Sequence, residues 1–319
     1  MRLDYITAGE SHGPQLTAII RGIPAGLYLP PERINRDLAR RQQGYGRGFR
    51  MQIEKDRVQI RSGVRKGITL GSPITLVVEN ADYRSWEPLM APDPGEMPDQ
   101  KTVTRPRPGH ADLVGAVKFN HRDARNILER SSARETAARV GVGAVCKALL
   151  EEFGITIYSH VVNLGGIRVD ATGMTHEEIR QAAEASELRV ARPEVEARMR
   201  ELIDKARKEG DTVGGVYEVV ALGVPMGLGS TMNWDEKLDA RLAYGILSCQ
   251  AIKGVAIGLG FDVAERPGSQ VHDPIGFDPT LAGRTAGEAG SGGPRVIVDD
   301  EPGSPGQVPE GKTLQAREA

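Results

Sequence analysis

Arginines, histidines and serines that could bind a phosphate group are concentrated between Arg105 and Arg139. This run holds seven arginines, two histidines and the pair Ser131-Ser132. Guanidinium groups form paired hydrogen bonds with phosphate oxygens, and the N–H groups at a helix N-terminus also attract anions. The run therefore predicts an anion site. The alternative is a solvated, arginine-rich surface beside an ordinary helix cap.

A loop followed by a helix must position these side chains. Two prolines and a glycine around Arg107 exclude a helix, so Arg107 and His110 are expected on an extended or turn segment. Ser132 and Glu135 have the spacing of a capping box. The small and apolar residues that follow predict a helix over about 133–152.

Glycines also frame a second candidate, Ser11-His12, near the start of the chain. Gly9 and Gly13 lie on either side of this pair. Glycine permits tight turns and a close approach of backbone to ligand, so Ser11 and His12 could contact a small molecule directly. The alternative is a tight turn with an incidental histidine.

A third candidate is the arginine-rich and glycine-rich segment from Arg40 to Arg50. Three glycines here argue against a stable helix. Arg41, Arg47 and Arg50 are therefore expected on a mobile loop that could close over an anion. An ordinary solvated basic loop is the alternative.

Composition limits the class of ligand. The 319-residue chain has 41 basic and 43 acidic side chains, so its net charge offers no general attraction for nucleic acid. Positive charge is local, which favours a small anionic ligand. The two cysteines have no metal-binding spacing and fit a reducing compartment. We found neither a signal peptide nor an apolar run long enough for a membrane span, so a cytoplasmic protein is expected.

Hydrophobic patterning predicts a mixed α and β structure with antiparallel hairpins. The expected strands are 2–7, 15–21, 58–60, 74–78, 155–164, 216–224 and 255–261. Helices are expected from Pro31, after the capping box Thr175–Glu178, from Pro193 to about Lys208, and over about 233–248. Residues 81–104 carry four prolines and are expected to form an irregular insertion.

A short repeat suggests an internal duplication. The sequences at 22–27 and 223–228 both match G-[IV]-P-x-G-L, and each follows a predicted strand and precedes a predicted helix. This pattern favours two related layers packed together with helices inside. Beyond about residue 278 the chain is rich in Gly, Pro, Ala and charge, so residues 278–319 are predicted to be poorly ordered.

Six segments, taken together and in order, resemble the chorismate synthase family. They are AGESHG (8–13), RRQQGYGRG (40–48), RPGHAD (107–112), RSSARETAARV (130–140), AIKGVAIGLGF (251–261) and GSQVHDPI (268–275). The resemblance covers residues 1–277, which we expect to form a single domain. It implies an α+β fold, a β-α-β sandwich with internal pseudo-duplication, usually assembled as a homotetramer.

The resemblance also implies a reaction. The family converts 5-enolpyruvylshikimate 3-phosphate to chorismate and phosphate by a 1,4-anti elimination. Reduced FMN is required although no net redox change occurs. NADPH is expected only as an indirect reductant, because the compact sequence looks like the bacterial type. The expected partner is the small-molecule substrate, without metal, nucleic acid or membrane.

Site roles follow from the same resemblance. Ser11 and His12 would lie at the leaving phosphate, with His12 donating a proton or hydrogen bond, and His110 would lie near the flavin. A group of arginines would contact the substrate or NADP: Arg41, Arg47, Arg50, Arg107 and Arg134. FMN would be held by Arg130, Ser131, Ser132, Gln250 and Ala251. No catalytic role is assigned to His121, His160, His176 or His272.

The family pattern stops abruptly near residue 278. Arg284-Thr285 begins an expected motif, but the later motifs that supply part of the FMN site, a substrate arginine and a catalytic acid are not recognisable. We interpret the tail as a frame change or a premature end, which resequencing of the coding DNA would test. Two other hypotheses remain: a catalytically impaired homologue, and a phosphate-binding or RNA-binding module.

Overall fold

The structure is a computed structural model that describes residues 3–48, 53–95 and 102–272. The strands, in chain order, are β1 (Asp4–Ala8), β2 (Gln15–Arg21), β3 (Ala25–Tyr28), β4 (Val58–Ser62), β5 (Val64–Arg65), β6 (Ile68–Leu70), β7 (Ile74–Glu79), β8 (Thr156–Leu164), β9 (Ile167–Arg168) and β10 (Gly215–Leu222). They form three antiparallel sheets, ordered β1-β2-β7-β4, β3-β6-β5 and β10-β8-β9.

Helices alternate with these strands along the chain. The α-helices are α1 (Pro31–Gln42), α2 (Tyr83–Met90), α3 (Asp112–Phe119), α4 (Arg125–Ser131), α5 (Thr136–Glu151), α6 (His176–Ala185), α7 (Glu196–Glu209) and α8 (Leu238–Leu247). The predicted α+β class is confirmed. The hairpin β5–β6 turns at Lys66-Gly67, where both residues have positive φ.

The main core lies between the first sheet and helices α1 and α5. Alternation on β2 directs Leu16, Ala18 and Ile20 inward, where they are almost fully buried. Helix α5 packs on β2 and β7 through small side chains such as Ala137 and Ala144. Its small residues let the helix axis approach the sheet closely, which fixes the position of the segment before α5.

A second core lies between the sheet β10-β8-β9 and helices α6 and α7. Tyr158 of β8, Ile179 of α6 and Met199 of α7 are buried in it together with Val190. The predicted capping box at Thr175 and Glu178 forms in both directions and starts α6. The helix expected after Pro193 begins with a 3-10 turn and continues as α7.

By contacts, the chain divides into two compact units. One comprises Met1–Val224 and Tyr244–Lys253, and contains all three sheets. The other comprises Pro225–Ala243 and Gly254–Ala319. The described part of the second unit contains turns, the first residues of α8 (238–243) and two 3-10 helices, Gly260–Glu265 and Gly268–Gln270. The single domain expected over 1–277 stays a prediction.

Several predicted elements need correction. Residues 255–261 form no strand, because Gly258 and Gly260 adopt positive φ values that interrupt an extended ladder. Helix α8 begins at Leu238 rather than near residue 233, since Ser230 and Glu236 close a turn before it. The irregular insertion contains helix α2, with Pro88 inside it.

The duplicated G-[IV]-P-x-G-L segments share a backbone feature. The first glycine of each copy has positive φ, 92° at Gly22 and 73° at Gly223. The second glycine of each copy agrees more closely, 93° at Gly26 and 95° at Gly227. The copies diverge afterwards, since the first continues into β3 while the second forms a turn. The repeat therefore shares two positive-φ glycines but not its secondary structure.

Candidate functional site

The Ser11-His12 pair lies in the loop between β1 and β2. Gly9 has φ 111°, and a Cβ there would collide with the carbonyl oxygen of Gln15. Only glycine fits this close passage of two strands, so the loop turns sharply and carries Ser11 and His12 inward. Ser11 is buried, and the His12 side chain is 20% exposed.

Glu129 of α4 holds this loop through three kinds of contact. Its carbonyl oxygen accepts the Ser11 N–H at 3.0 Å, and its Oε2 accepts the His12 N–H at 2.8 Å. The His12 Nδ1 atom lies 3.0 and 2.9 Å from its two carboxylate oxygens. Burial opposes ionisation of Glu129, but the His12 hydrogen bonds and the Arg125 charge prevail and lower its pKa. Sequence reasoning missed this residue.

Trp86 and Asp82 of the insertion complete the surroundings of His12. The Trp86 ring lies 4.1 Å from the His12 ring, centroid to centroid. The Arg125 guanidinium lies over the Trp86 ring, 5.1 Å from the ring centroid. Asp82 Oδ2 is 3.9 Å from His12 Nε2. A tryptophan in a proline-rich insertion was the only sequence signal for this contact.

Arg41 and Arg134 meet at the carboxylate of Asp56. Arg134 Nη1 donates to Asp56 Oδ1 at 2.7 Å, and Arg41 Nη1 donates to Asp56 Oδ2 at 3.3 Å. Glu54 Oε2 lies 3.5 Å from Arg134. Arg134 is buried. A buried guanidinium needs charged acceptors around it, and this ion-pair network supplies them. This placement fits a structural role better than a direct clamp on substrate.

Arg41 is also placed differently from the expectation. It lies in the last turn of α1, not on a loop, and its side chain is 15% exposed. Its Nε donates to Thr136 Oγ1 at 3.1 Å, at the start of α5. The helix therefore extends further into the glycine-rich segment than the glycines suggested, since the first of them is Gly44.

Asn80 joins the His12 loop to this arginine network. Its Nδ2 donates to the carbonyl oxygens of Glu10, at 3.1 Å, and Gly13, at 2.7 Å. Its Oδ1 accepts from Arg134 Nε at 2.8 Å. One buried amide thus satisfies both loop carbonyls and a buried cation, which makes the two candidate groups a single connected arrangement.

Residues expected to bind a flavin meet around Glu135 and Thr7. Glu135 accepts from Thr7 Oγ1 at 2.7 Å and from Gln250 Nε2 at 2.9 Å. Arg130 donates to the Thr7 carbonyl oxygen at 2.8 Å. Burial opposes ionisation of Glu135, but hydrogen bonds from Gln250, Thr7 and Arg139 lower its pKa. Arg130 and Gln250 are thereby brought to one cluster from distant parts of the sequence.

The capping box predicted at Ser132 forms only in part. Ser132 Oγ accepts from the Arg134 N–H at 3.3 Å and caps a 3-10 turn over Ala133–Glu135, after which α5 begins. The Glu135 carboxylate does not return to Ser132, because Thr7, Arg139 and Gln250 already occupy it. Ser131 is the last residue of α4, and both serines are partly exposed.

One buried acceptor in this cluster lacks a donor from the described residues. Gln250 Oε1 is buried and has no hydrogen-bond partner among the described residues. The next residue, Ala251, has φ 68°, a conformation that turns the backbone sharply after Gln250. A buried amide oxygen normally has a donor, so a ligand with hydroxyl or N–H groups fits here.

His110 and Arg107 are held by a fully buried carboxylate, Asp112. Asp112 Oδ2 accepts from the Arg107 N–H at 3.1 Å and from its Nε at 3.0 Å. His110 Nδ1 contacts Asp112 Oδ1. Burial opposes ionisation of Asp112, but the Arg107 and His110 contacts lower its pKa. The predicted loop is therefore a preorganised turn that presents an exposed Arg107 and a partly exposed His110.

The glycine-rich loop after α1 is anchored rather than free. Tyr45 N–H donates to the Glu187 carbonyl oxygen at 3.2 Å, and its hydroxyl donates to Asp204 at 2.8 Å. The Asp204 hydrogen bond raises the pKa of Tyr45. Arg47 is exposed on this loop. Arg50 lies outside the described residues.

Comparison with known sequences identifies the family. A sequence model described as "Chorismate synthase" matches residues 3–296, most of the chain. The chorismate synthase of Geobacter metallireducens is 62% identical over 276 residues, which are 86% of this chain and 70% of the relative. This chain belongs to the chorismate synthase family. The chain is a lyase of the shikimate pathway, which serves aromatic amino acid biosynthesis.

Further relatives agree with the family. The chorismate synthase of Geobacter sulfurreducens is 59% identical over 282 residues, 88% of this chain and 72% of the relative. A crystal structure of a chorismate synthase matches with a TM-score of 0.73 and 47% identity. The match covers 87% of this chain and 75% of the chain in that crystal structure. The expected fold, that of chorismate synthase, is confirmed.

Membrane-spanning helices and metal-binding clusters can be judged only for the described residues. None of their helices has the length and apolar character that crossing a membrane requires. No group of three or more His, Cys, Asp or Glu side chains among them is arranged around a metal position. The tail prediction concerns residues 278–319, which lie outside the part of the chain that the structure describes.

Proposed function

We propose that this member of the chorismate synthase family converts 5-enolpyruvylshikimate 3-phosphate to chorismate and phosphate with reduced FMN. One observation carries the proposal. Helix α4 and the turn after it bind both the His12 loop, through Glu129, and the Thr7–Gln250 cluster, through Arg130 and Glu135. Residues proposed for the leaving phosphate and for the flavin are thus positioned by a single short segment.

The elimination removes phosphate and a ring proton, so negative charge develops on the departing oxygen. Ser11 and His12 would bind this phosphate from the β1–β2 loop. Arg47 and Arg107 are exposed and would contact the substrate directly, as would Arg50, which lies outside the described residues. Arg41 and Arg134 would contribute positive potential, although Asp56 offsets part of it.

Arg130, Ser131, Ser132, Gln250 and Ala251 would hold FMN. Their donor set suits the group, since Arg130 and the serine hydroxyls can bind phosphate and the unpartnered Gln250 oxygen can accept from a hydroxyl. When bound, reduced FMN would supply electron density transiently to the elimination. His110, held at Nδ1 by Asp112, would keep a proton near the flavin.

We also propose the finer assignments that the resemblance implies. The assembly is a homotetramer in the cytoplasm, and NADPH acts only through an outside flavin reductase. Sedimentation of the purified chain measures its oligomeric state. Oxidised FMN with NADPH should give no product without an added reductase. Chorismate formed from that mixture alone would contradict the second assignment.

The reaction is tested with the purified chain and reduced FMN under anaerobic conditions. Chorismate absorbance should appear after 5-enolpyruvylshikimate 3-phosphate is added. A His12→Ala variant should lose most of this rate, about 100-fold or more if His12 donates a proton. No product and no change in the flavin spectrum with the wild-type chain would reject the proposal.

A further inference from the structure

Glu129 is a buried carboxylate beside the residue proposed to act on the leaving phosphate. Its side chain is 1% exposed, against 20% for His12. It contacts His12 at two separate atoms, the backbone N–H and ring Nδ1, and its own carbonyl oxygen holds Ser11. A buried carboxylate without partners would cost folding free energy, so the fold must hold these partners against Glu129.

The contacts determine which ring nitrogen carries the proton. A carboxylate accepts hydrogen bonds and cannot donate them when ionised, so His12 Nδ1 must carry a hydrogen. The pKa of Glu129 is lowered despite its burial, which keeps it ionised at neutral pH. In the neutral ring Nε2 then has a lone pair. Only the doubly protonated ring can donate from Nε2.

We infer that Glu129 is the positioning residue of His12, fixing the proton on Nδ1 so that His12 acts on the phosphate only as the imidazolium. This inference rests on the proposed function. As the C–O bond breaks, its electron pair leaves with the phosphate oxygen. The Nε2 proton passes to that phosphate. The ring is left neutral, with its remaining proton on Nδ1 against Glu129.

Other charged groups around His12 are consistent with this role. Asp82, at the start of α2, lies 3.9 Å from Nε2. Arg125 of α4 donates from Nη1 to Glu129 Oε1 at 3.2 Å and so shares the carboxylate with His12. The Trp86 ring packs against the His12 ring, with 4.1 Å between the ring centroids.

The first test measures the wild-type chain and needs a variant only to identify the signal. Ring nitrogen NMR of the 15N-labelled full chain, with the His12 signal identified by a His12→Asn variant, reports the tautomer directly. At alkaline pH we expect His12 with hydrogen on Nδ1 and none on Nε2. The opposite tautomer in the wild-type chain would overturn the inference, whether or not the chain turns over substrate.

The second test compares two histidine–carboxylate pairs. Glu129→Gln removes the charge at His12, whereas Glu218→Gln removes the carboxylate 3.0 Å from His160, outside the proposed site. Glu129→Gln should lower kcat about 100-fold with little change in KM. The pH profile of its kcat should differ from that of the wild-type chain, because the charge beside the His12 ring is gone. Glu218→Gln should leave both unchanged, and Glu129→Asp should recover part of kcat.

These outcomes separate the two proposals. If Glu129→Gln and Glu218→Gln have the same kcat and pH profile, the positioning role is wrong while the proposed reaction stands. If the wild-type chain gives no chorismate, the proposed reaction fails and the tautomer measurement still decides the role of Glu129. Circular dichroism of Glu129→Gln and Glu129→Asp confirms that lost activity does not arise from unfolding.

Discussion

Three buried carboxylates show how this molecule places charge at its proposed site. Glu129, Glu135 and Asp112 all lie where burial alone would favour their neutral forms. Each has a lowered pKa, because histidine, arginine or amide donors surround it. A carboxylate in such a setting orients its partners, and it stays ionised only while those partners are in place. These residues therefore link stability to pH as well as positioning the site.

Acidification should destabilise the chain in a defined range. In the unfolded chain Glu129 and Glu135 have pKa values near 4.5, and in the folded chain the values are lower. Unfolded molecules therefore bind more protons as pH falls below 4.5, so the free energy of unfolding decreases there. Urea unfolding at a series of pH values measures this. Glu135→Gln should flatten the curve; an unchanged slope would contradict the role of Glu135.

Asp112 should matter for function more than for the global fold. Asp112→Asn keeps the size of the side chain but removes the charge that holds Arg107 and His110. The turn should loosen, and kcat should fall at least about tenfold, because His110 loses its orientation. Anaerobic turnover measures kcat, and Asp37→Asn, which loses an ion pair with Lys147, is the control. Equal activity of the two variants would contradict the positioning of His110 by Asp112.

At the scale of elements, helix α5 fixes the site because it packs closely on the first sheet. Leu38 of α1 is fully buried against this core, so Leu38→Ala should cost about 2–5 kcal/mol of unfolding free energy. Gly143 of α5 faces open space, and Gly143→Ala should stabilise by up to about 1 kcal/mol. Urea unfolding of both variants tests the packing. A destabilised Gly143→Ala would show that the helix lacks the space described.

The anchored glycine loop makes a separate prediction. Tyr45→Ala removes both the hydrogen bond to Asp204 and the ring beneath Arg200, so the loop that carries Arg47 should lose its position. KM for the substrate should rise several-fold while kcat changes less. Tyr45→Phe keeps the ring and should have a smaller effect. Steady-state kinetics decide this, and a KM unchanged in Tyr45→Ala would show that the anchor is irrelevant to binding.

Local signals predicted some elements well. The β2 alternation gave the bounds Gln15–Arg21, and the Thr175 capping box forms as expected. The similar Ser132 and Glu135 spacing did not give a full capping box, because residues distant in sequence compete for Glu135. The strand prediction over 255–261 was wrong, because glycines within it interrupt an extended backbone. Local patterns therefore succeeded where no tertiary contact competed with them.

At the scale of the whole molecule, sequence alone could not assemble the site. Motif resemblance supplied the family and most candidate residues. It did not reveal Glu129, Asp56 or Asn80, whose importance depends on tertiary contacts across many residues. The substrate contact that it implied for Arg134 stays a prediction, and it gave no sign that Asp56 and Asn80 bind this guanidinium. Positive residues in a motif do not show which acidic residues will neutralise them.

The coupling of products tests the proposed reaction most directly. With 5-enolpyruvylshikimate 3-phosphate and reduced FMN under anaerobic conditions, chorismate and inorganic phosphate should appear together. They should accumulate in equal amounts, and reduced FMN should not be consumed, because the elimination has no net redox change. Phosphate released without chorismate, or no product at all from the folded wild-type chain, would contradict the account.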